Sequence, residues 1–147
     1  MGPTRFEGKR VFMTGGASGI GAATFASFRS EGLRGRREPA EDQTKCDVAD
    51  PEAVEQAVAA AVDAFGGLDV VVNVAGTYTM SRLEDRSIER WERILAVNLT
   101  GPMLVTKAAL PHLRETKGAV VSVASVSGCG RSPTFPRTAR RRPRCCS

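Results

Sequence analysis

The stretch Thr14-Gly15-Gly16-Ala17-Ser18-Gly19-Ile20-Gly21 comes after the apolar strand candidate Val11-Phe12-Met13 and runs straight into an Ala-rich helical segment. A turn so poor in side chains, placed where a helix begins, suits one kind of chemistry. It offers unpaired backbone N–H groups and the positive end of a helix dipole to a phosphate or pyrophosphate. The spacing gives the glycines separate tasks: Gly15 the tight strand-to-helix turn, Gly19 close approach by the ligand, Gly21 close packing of helix on strand. The same pattern also occurs in ordinary loops of small residues, so its meaning depends on the residues downstream. Four further polar residues stand out: Asp47, Asn73, Asn98 and Ser125. Asp47 could accept a hydrogen bond from a ligand amino group or simply cap a helix, and Asn73 could satisfy backbone groups at the end of a buried strand. Asn98 lies in an amphipathic helical pattern, where an amide costs stability unless it is paired. His112, the single histidine, sits near a predicted helix end and reads as a surface or dipole-stabilising residue.

The elements that must position these groups alternate between strand and helix, the pattern of βαβ units and a parallel sheet covered on both faces. A strand over Lys9–Met13 is followed by a helix from about Gly19 to Glu31 that turns Ile20, Ala23 and Phe28 toward the sheet and stops near Gly32. Residues 33–45 carry no apolar run, so no second strand is visible there. Asp50 caps a helix with Pro51 at its first position, on which Val54, Val58, Val62 and Phe65 share a face. Gly66-Gly67 ends it, and Leu68–Asn73 is a continuously apolar strand of the buried kind. A long helix is predicted from Ser87 to His112, with Trp91, Ile94, Leu95 and Asn98 on one face and a bend at Pro102. Gly118–Ala124 is the last predicted strand, with Ser125 at its C-terminal end. Ligands in open α/β sheets bind at such strand ends, so Gly15, Asn73 and Ser125 point to one crevice.

At 147 residues the chain makes about one domain. Its net charge of +5 is misleading: six of the 21 basic residues, and no acid, lie between Arg131 and Ser147, which leaves 15 bases against 16 acids before them. The predicted organisation is a domain over 1–128, irregular at 33–45, and an Arg-rich disordered tail over 129–147. The cysteines Cys46, Cys129, Cys145 and Cys146 show no metal-ligand spacing, so no metal site is assigned. The start of the chain has no apolar leader pattern and no run of about eighteen apolar residues is evident. A cytoplasmic protein without membrane contact is expected.

The motifs together resemble the short-chain dehydrogenase/reductase family over about Lys9–Gly128. Gly15-x-x-x-Gly19-x-Gly21 is similar to its cofactor loop, with Ser18 and Ile20 inside it, and Cys46-Asp47-Val48 to the strand end that contacts the adenine ring. Asn73-Val74-Ala75-Gly76 resembles its Asn-Asn-Ala-Gly segment with Val74 in place of the second Asn. Asn98 in Ala96-Val97-Asn98-Leu99-Thr100-Gly101 is similar to its helix asparagine, and Ser125 to its substrate-orienting serine. The resemblance implies a doubly wound, Rossmann-like parallel sheet, incomplete here, and hydride transfer between a nicotinamide cofactor and a carbonyl or secondary alcohol. Gly15, Ser18, Gly19, Ile20, Gly21, Asp47, Val48, Asn73, Ala75 and Gly76 would bind that cofactor. Asn98 and Ser125 would serve catalysis. NAD is favoured because the glycine turn has no basic residue, while Arg34, Arg36 and Arg37 beside Glu38, Glu41 and Asp42 leave NADP open. Family members commonly pair the long helix with a second subunit, an interface incomplete in this chain.

One family element is missing. The proton-carrying tyrosine should lie thirteen residues past the serine and its lysine partner four later, but Thr138 and Arg142 stand there. The single tyrosine, Tyr78, does not match the motif. Back-translation of Arg137–Ser147 with its first two bases dropped can read Tyr-Gly-Ala-Ser-Lys-Ala-Ala-Leu-Leu-Leu, which restores the motif in register. A reading-frame shift between about Cys129 and Arg137 is therefore expected, and with it an inactive chain. A non-catalytic dinucleotide-binding remnant is the alternative. Nucleic-acid binding through the tail ranks last, since its arginines are not interleaved with aromatics.

Overall fold

The computed structural model describes residues 5–37 and 46–125, with backbone alone for 34–37. Four short parallel strands form one sheet: β1 (Arg10–Thr14), β2 (Arg34–Arg37), β3 (Val70–Asn73) and β4 (Ala119–Ser122), in the order β2-β1-β3-β4. From β1 the chain crosses by helix α1 (Gly19–Ser30) to β2 on one side. It then returns by α2 (Pro51–Phe65) to β3 on the other side of β1 and continues by α3 (Ile88–Leu95) and α4 (Gly101–Thr116) to β4. The direction of winding thus reverses between β1 and β3, and the crevice of such a sheet opens at the C-terminal ends of those two strands.

Side chains alternate along the strands and divide the core in two. Phe12 and Val71 pack with Val54, Ala57, Val58 and Ala61 of α2 and with Val105, Ala109 and Leu113 of α4. Val11, Met13 and Val72 face the opposite way, onto Phe25 and Leu33. Asp50 caps α2 with its carboxylate on the N–H groups of Glu52 and Ala53, and Gly66 ends the helix in a left-handed conformation at φ 73°. Where the two central strands β1 and β3 begin, Arg10 and Asp69 form a pair at 2.8 Å, with Arg10 also donating to the Gly66 carbonyl.

Four sequence expectations are corrected. A second strand does exist: β2 pairs in parallel with β1, Arg10 opposite Arg34 through Met13 opposite Arg37. An edge strand needs only backbone pairing on one side, so its Arg-rich composition hid it. On α1 the face toward the sheet is Gly21, Phe25 and half-buried Phe28, whereas Ile20 is 67% exposed and Ala23 is also exposed. The helical run from Ile88 continues to Thr116, past His112. Its inward face is Val97, Gly101, Val105, Ala109 and Leu113, with Trp91 and Leu95 largely outside. By length and composition this run could cross a membrane, but here it is packed on the sheet. Its irregularity falls just before Pro102, as a π-helical turn over Ala96–Thr100. Pro102 has no N–H to offer the Asn98 carbonyl four residues back.

Candidate functional site

A cavity of about 870 Å³ lies over the ends of β1 and β3, walled by the glycine turn, by Cys46–Val48 and by Val74–Tyr78. Gly15, Ser18, Gly19, Ile20, Gly21, Asp47, Val48, Ala75 and Gly76, all expected from the sequence, stand together on its wall. The exposed Ile20 side chain is consistent with that place, though not with the core role expected for it. Asn73, Asn98 and Ser125 are not on the wall.

The glycine turn is shaped by contacts that forbid side chains. Gly15 has φ 69°, and a Cβ there would lie 2.5 Å from the Ala75 nitrogen. A Cβ on Gly21 would fall onto the Gly15 carbonyl oxygen. Gly19 differs: its φ is 53°, yet nothing lies within 4 Å of where its Cβ would be. Its bareness leaves open space above the first turn of α1. That turn is also uncapped. Ser18 is its N-cap residue but makes no side-chain cap, and the first turn has no acid. In contrast, Asp50 and Ser87 cap α2 and α3 through their side chains. The first turn of α1 therefore borders the cavity with no side-chain cap and no acid of its own, and the unpaired N–H groups and dipole of such a turn meet the electrostatic requirement of a pyrophosphate.

Thr14 fastens the turn to the neighbouring strand end, its hydroxyl accepting from Val74 N and Ala75 N, both at 3.3 Å. Below the cavity floor, Asn73 is 3% exposed. Its amide nitrogen donates to Ser122 Oγ at 3.4 Å and to Thr106 Oγ1 at 3.5 Å, while Oδ1 has no partner among the described residues. The expectation that its side chain satisfies backbone groups is thus corrected. Its partners are hydroxyls of α4 and β4, while its main-chain carbonyl accepts from Val123 N at 2.9 Å.

Asn98 sits in the π-helical turn, on its exposed side. Oδ1 accepts from Thr77 N at 2.8 Å and Nδ2 donates to Thr77 O at 2.7 Å. This two-point clasp engages both polar atoms of the amide and ties the loop after β3, which walls the cavity, to the helix. Ser125 is exposed three residues beyond β4, and Val123 of the same segment reaches the cavity wall.

At the far end of the cavity Asp47 faces Arg93 of α3. Arg93 Nη1 lies 2.9 Å from Oδ2 and Nη2 donates to Oδ1 at 3.1 Å, while Ala49 N donates to Oδ1 at 3.0 Å. Arg93, and secondarily the Ala49 amide, holds the Asp47 carboxyl below the usual carboxylate range. Sequence reading missed Arg93, Thr77 and the tethering role of Thr14. The position of Thr14 at the mouth of the turn is a local signal. Arg93 gives none, because its partner is 46 residues away. Among the described residues no three His, Cys, Asp or Glu side chains converge to hold a metal.

Comparison with known proteins agrees with this geometry. A short chain dehydrogenase family profile matches residues 9–137. The chain belongs to the short chain dehydrogenase family. It is 35% identical over 142 residues to meso-2,3-butanediol dehydrogenase of Serratia marcescens, covering 86% of this chain and 57% of that one. To bovine (Bos taurus) L-fucose dehydrogenase it is 36% identical over 154 residues, 94% of this chain and 57% of the relative. That aligned length exceeds the 147 residues of the chain, so the relative carries residues with no counterpart here. A short chain dehydrogenase of Burkholderia cenocepacia, solved in complex with NADP, superposes with a TM-score of 0.74 at 34% identity, over 80% of this chain and 56% of that one. The chain thus spans little more than half the length of these relatives.

Proposed function

We propose that this chain carries the dinucleotide-binding half of a nicotinamide-dependent oxidoreductase acting on a carbonyl or secondary alcohol, and that as it stands it binds cofactor without turning substrate over. The single observation behind the binding role is the uncapped first turn of α1 beneath the bare Gly19, facing the cavity. In this reading the loop N–H groups hold the pyrophosphate, and Asp47 accepts from the adenine amino group. Val48, Ala75 and Gly76 flank the cofactor, and Asn73 braces the floor. NAD is the proposed dinucleotide, with NADP as the alternative. Bound nicotinamide would supply the hydride acceptor or donor. The chain's own residues would do the rest: Asn98 fixes the loop at Thr77, and the Ser125 hydroxyl bonds the reacting oxygen of the substrate.

Loss of turnover is attributed to Thr138 and Arg142, which stand where the family's proton-carrying pair belongs and lie outside the described residues. A phenol with an unperturbed pKa of about 10 needs a nearby cation to act near neutrality. Neither half of that pair is present in register. A reading-frame shift before Arg137 accounts for both. Sequencing the gene across codons 129–147 tests it, and an absence of Tyr-x-x-x-Lys in every frame would refute it. Calorimetry with NAD tests the binding role: saturable binding without oxidation of any added alcohol is expected, whereas measurable turnover would overturn the inactive reading.

The outer side of the long helix supports pairing with a second copy, as in the family. Ile88, Leu95, Leu99, Met103 and Leu110 are all exposed along it. A cytoplasmic setting is the proposed one, on the family membership.

A further inference from the structure

Helix α3 contains no buried residue, yet it sends Arg93 to the Asp47 carboxylate, the acid at one end of the cavity. The contact is two-pointed, with Nη1 2.9 Å from Oδ2 and Nη2 donating to Oδ1, one guanidinium nitrogen on each carboxylate oxygen. Both partners are about half-exposed, at 52% and 46%. A pair so open adds little to global stability, but a bidentate fork fixes the orientation of a carboxylate more tightly than a point charge does. Oδ1 already takes two donors, from Arg93 and the Ala49 amide, whereas among the described residues Oδ2 has only its ion-pair contact with Arg93 Nη1 and retains acceptor capacity.

We propose that Arg93 is a positioning residue for the adenine end of the dinucleotide: by gripping Asp47 it aims the remaining Oδ2 lone pair at the 6-amino group. This inference rests on the dinucleotide-binding reading of the cavity. Its physical content is pre-organisation. A carboxylate free to rotate would have to be ordered when cofactor binds, and Arg93 removes that cost beforehand. The Asp47 carboxyl, held by Arg93 below the usual carboxylate range, meets the amino group as a charged acceptor.

The test is calorimetric titration of the full chain with NAD and with its hypoxanthine analogue, in which a carbonyl oxygen replaces the 6-amino group. The wild-type chain should prefer NAD by about tenfold, the worth of one hydrogen bond to a charged acceptor at a half-exposed site. Arg93→Ala, and Arg93→Met, which keeps the apolar stem, should cut that preference to about twofold with thermal midpoints nearly unchanged. Arg93→Lys, a point charge without the fork, should fall between. A merely structural role would weaken both ligands equally and leave the ratio intact. That result in either folded variant, or a wild-type chain that binds both ligands equally, overturns the positioning role while the cofactor reading stands. A wild-type chain that binds neither overturns both.

Discussion

Replacing Gly19 and Gly21 separately by alanine distinguishes a glycine kept for the ligand from one kept for the fold. At Gly19 the new Cβ meets nothing within 4 Å, so the only structural cost is the left-handed backbone at φ 53°. That strain is about 1–2 kcal/mol, partly offset by the lower entropy of the unfolded alanine chain, for a net loss of about 1 kcal/mol. At Gly21 the backbone is helical and alanine gains about 1 kcal/mol in propensity. Its Cβ, however, falls onto the Gly15 carbonyl oxygen, with Gly16 Cα only 3.2 Å away. Both are backbone atoms that cannot swing aside, so α1 must lift from β1, and a net loss of about 3 kcal/mol is expected. At about 3 °C per kcal/mol for a chain of this size, thermal unfolding should drop by about 3 °C for Gly19→Ala and about 9 °C for Gly21→Ala. Calorimetry then inverts the order of harm. Gly19→Ala, nearly as stable as the wild type, should lose NAD affinity by more than about tenfold, since its methyl occupies the space over the orphan N–H groups. Equal melting temperatures for the two variants would refute the packing role of Gly21, and an unchanged Kd in Gly19→Ala would refute the ligand role of Gly19.

Removing the clasp by Asn98→Ala deletes two hydrogen bonds to Thr77. About 1–2 kcal/mol of stability should go, with faster hydrogen exchange at the Thr77 amide as the specific readout. Asp69, held below the usual carboxylate range by the Arg10 side chain, contributes stability that is present above its unfolded pKa and lost as pH falls through its lower folded pKa. Asp69→Asn should therefore cost about 1–2 kcal/mol at neutral pH and flatten the acid limb of the stability profile, measured by urea titration at several pH values. Leu99→Glu, at a 68% exposed position on the outer helix face, should leave the melting temperature within about 2 °C while abolishing self-association in sedimentation. A wild-type chain that is already monomeric would refute that face as a subunit contact.

What the sequence by itself determined was local. The turn after β1, the Asp50 cap and Gly66 stop of α2 and the continuous apolar β3 all depend on neighbours within a few residues, and periodicity and capping report such neighbours directly. Tertiary structure decided the rest. The Arg-rich β2 is a strand because β1 offers it backbone partners, which no side-chain pattern announces. Asn98 closes on Thr77 across 21 residues and Arg93 on Asp47 across 46. Ile20 and Ala23 turn outward because Gly21 must lie against the turn, which rotates the whole helix and gives its inner face to Phe25. Pairings of this kind arise only when separate elements are packed at van der Waals distance, and the chain order of the residues contains no record of that distance.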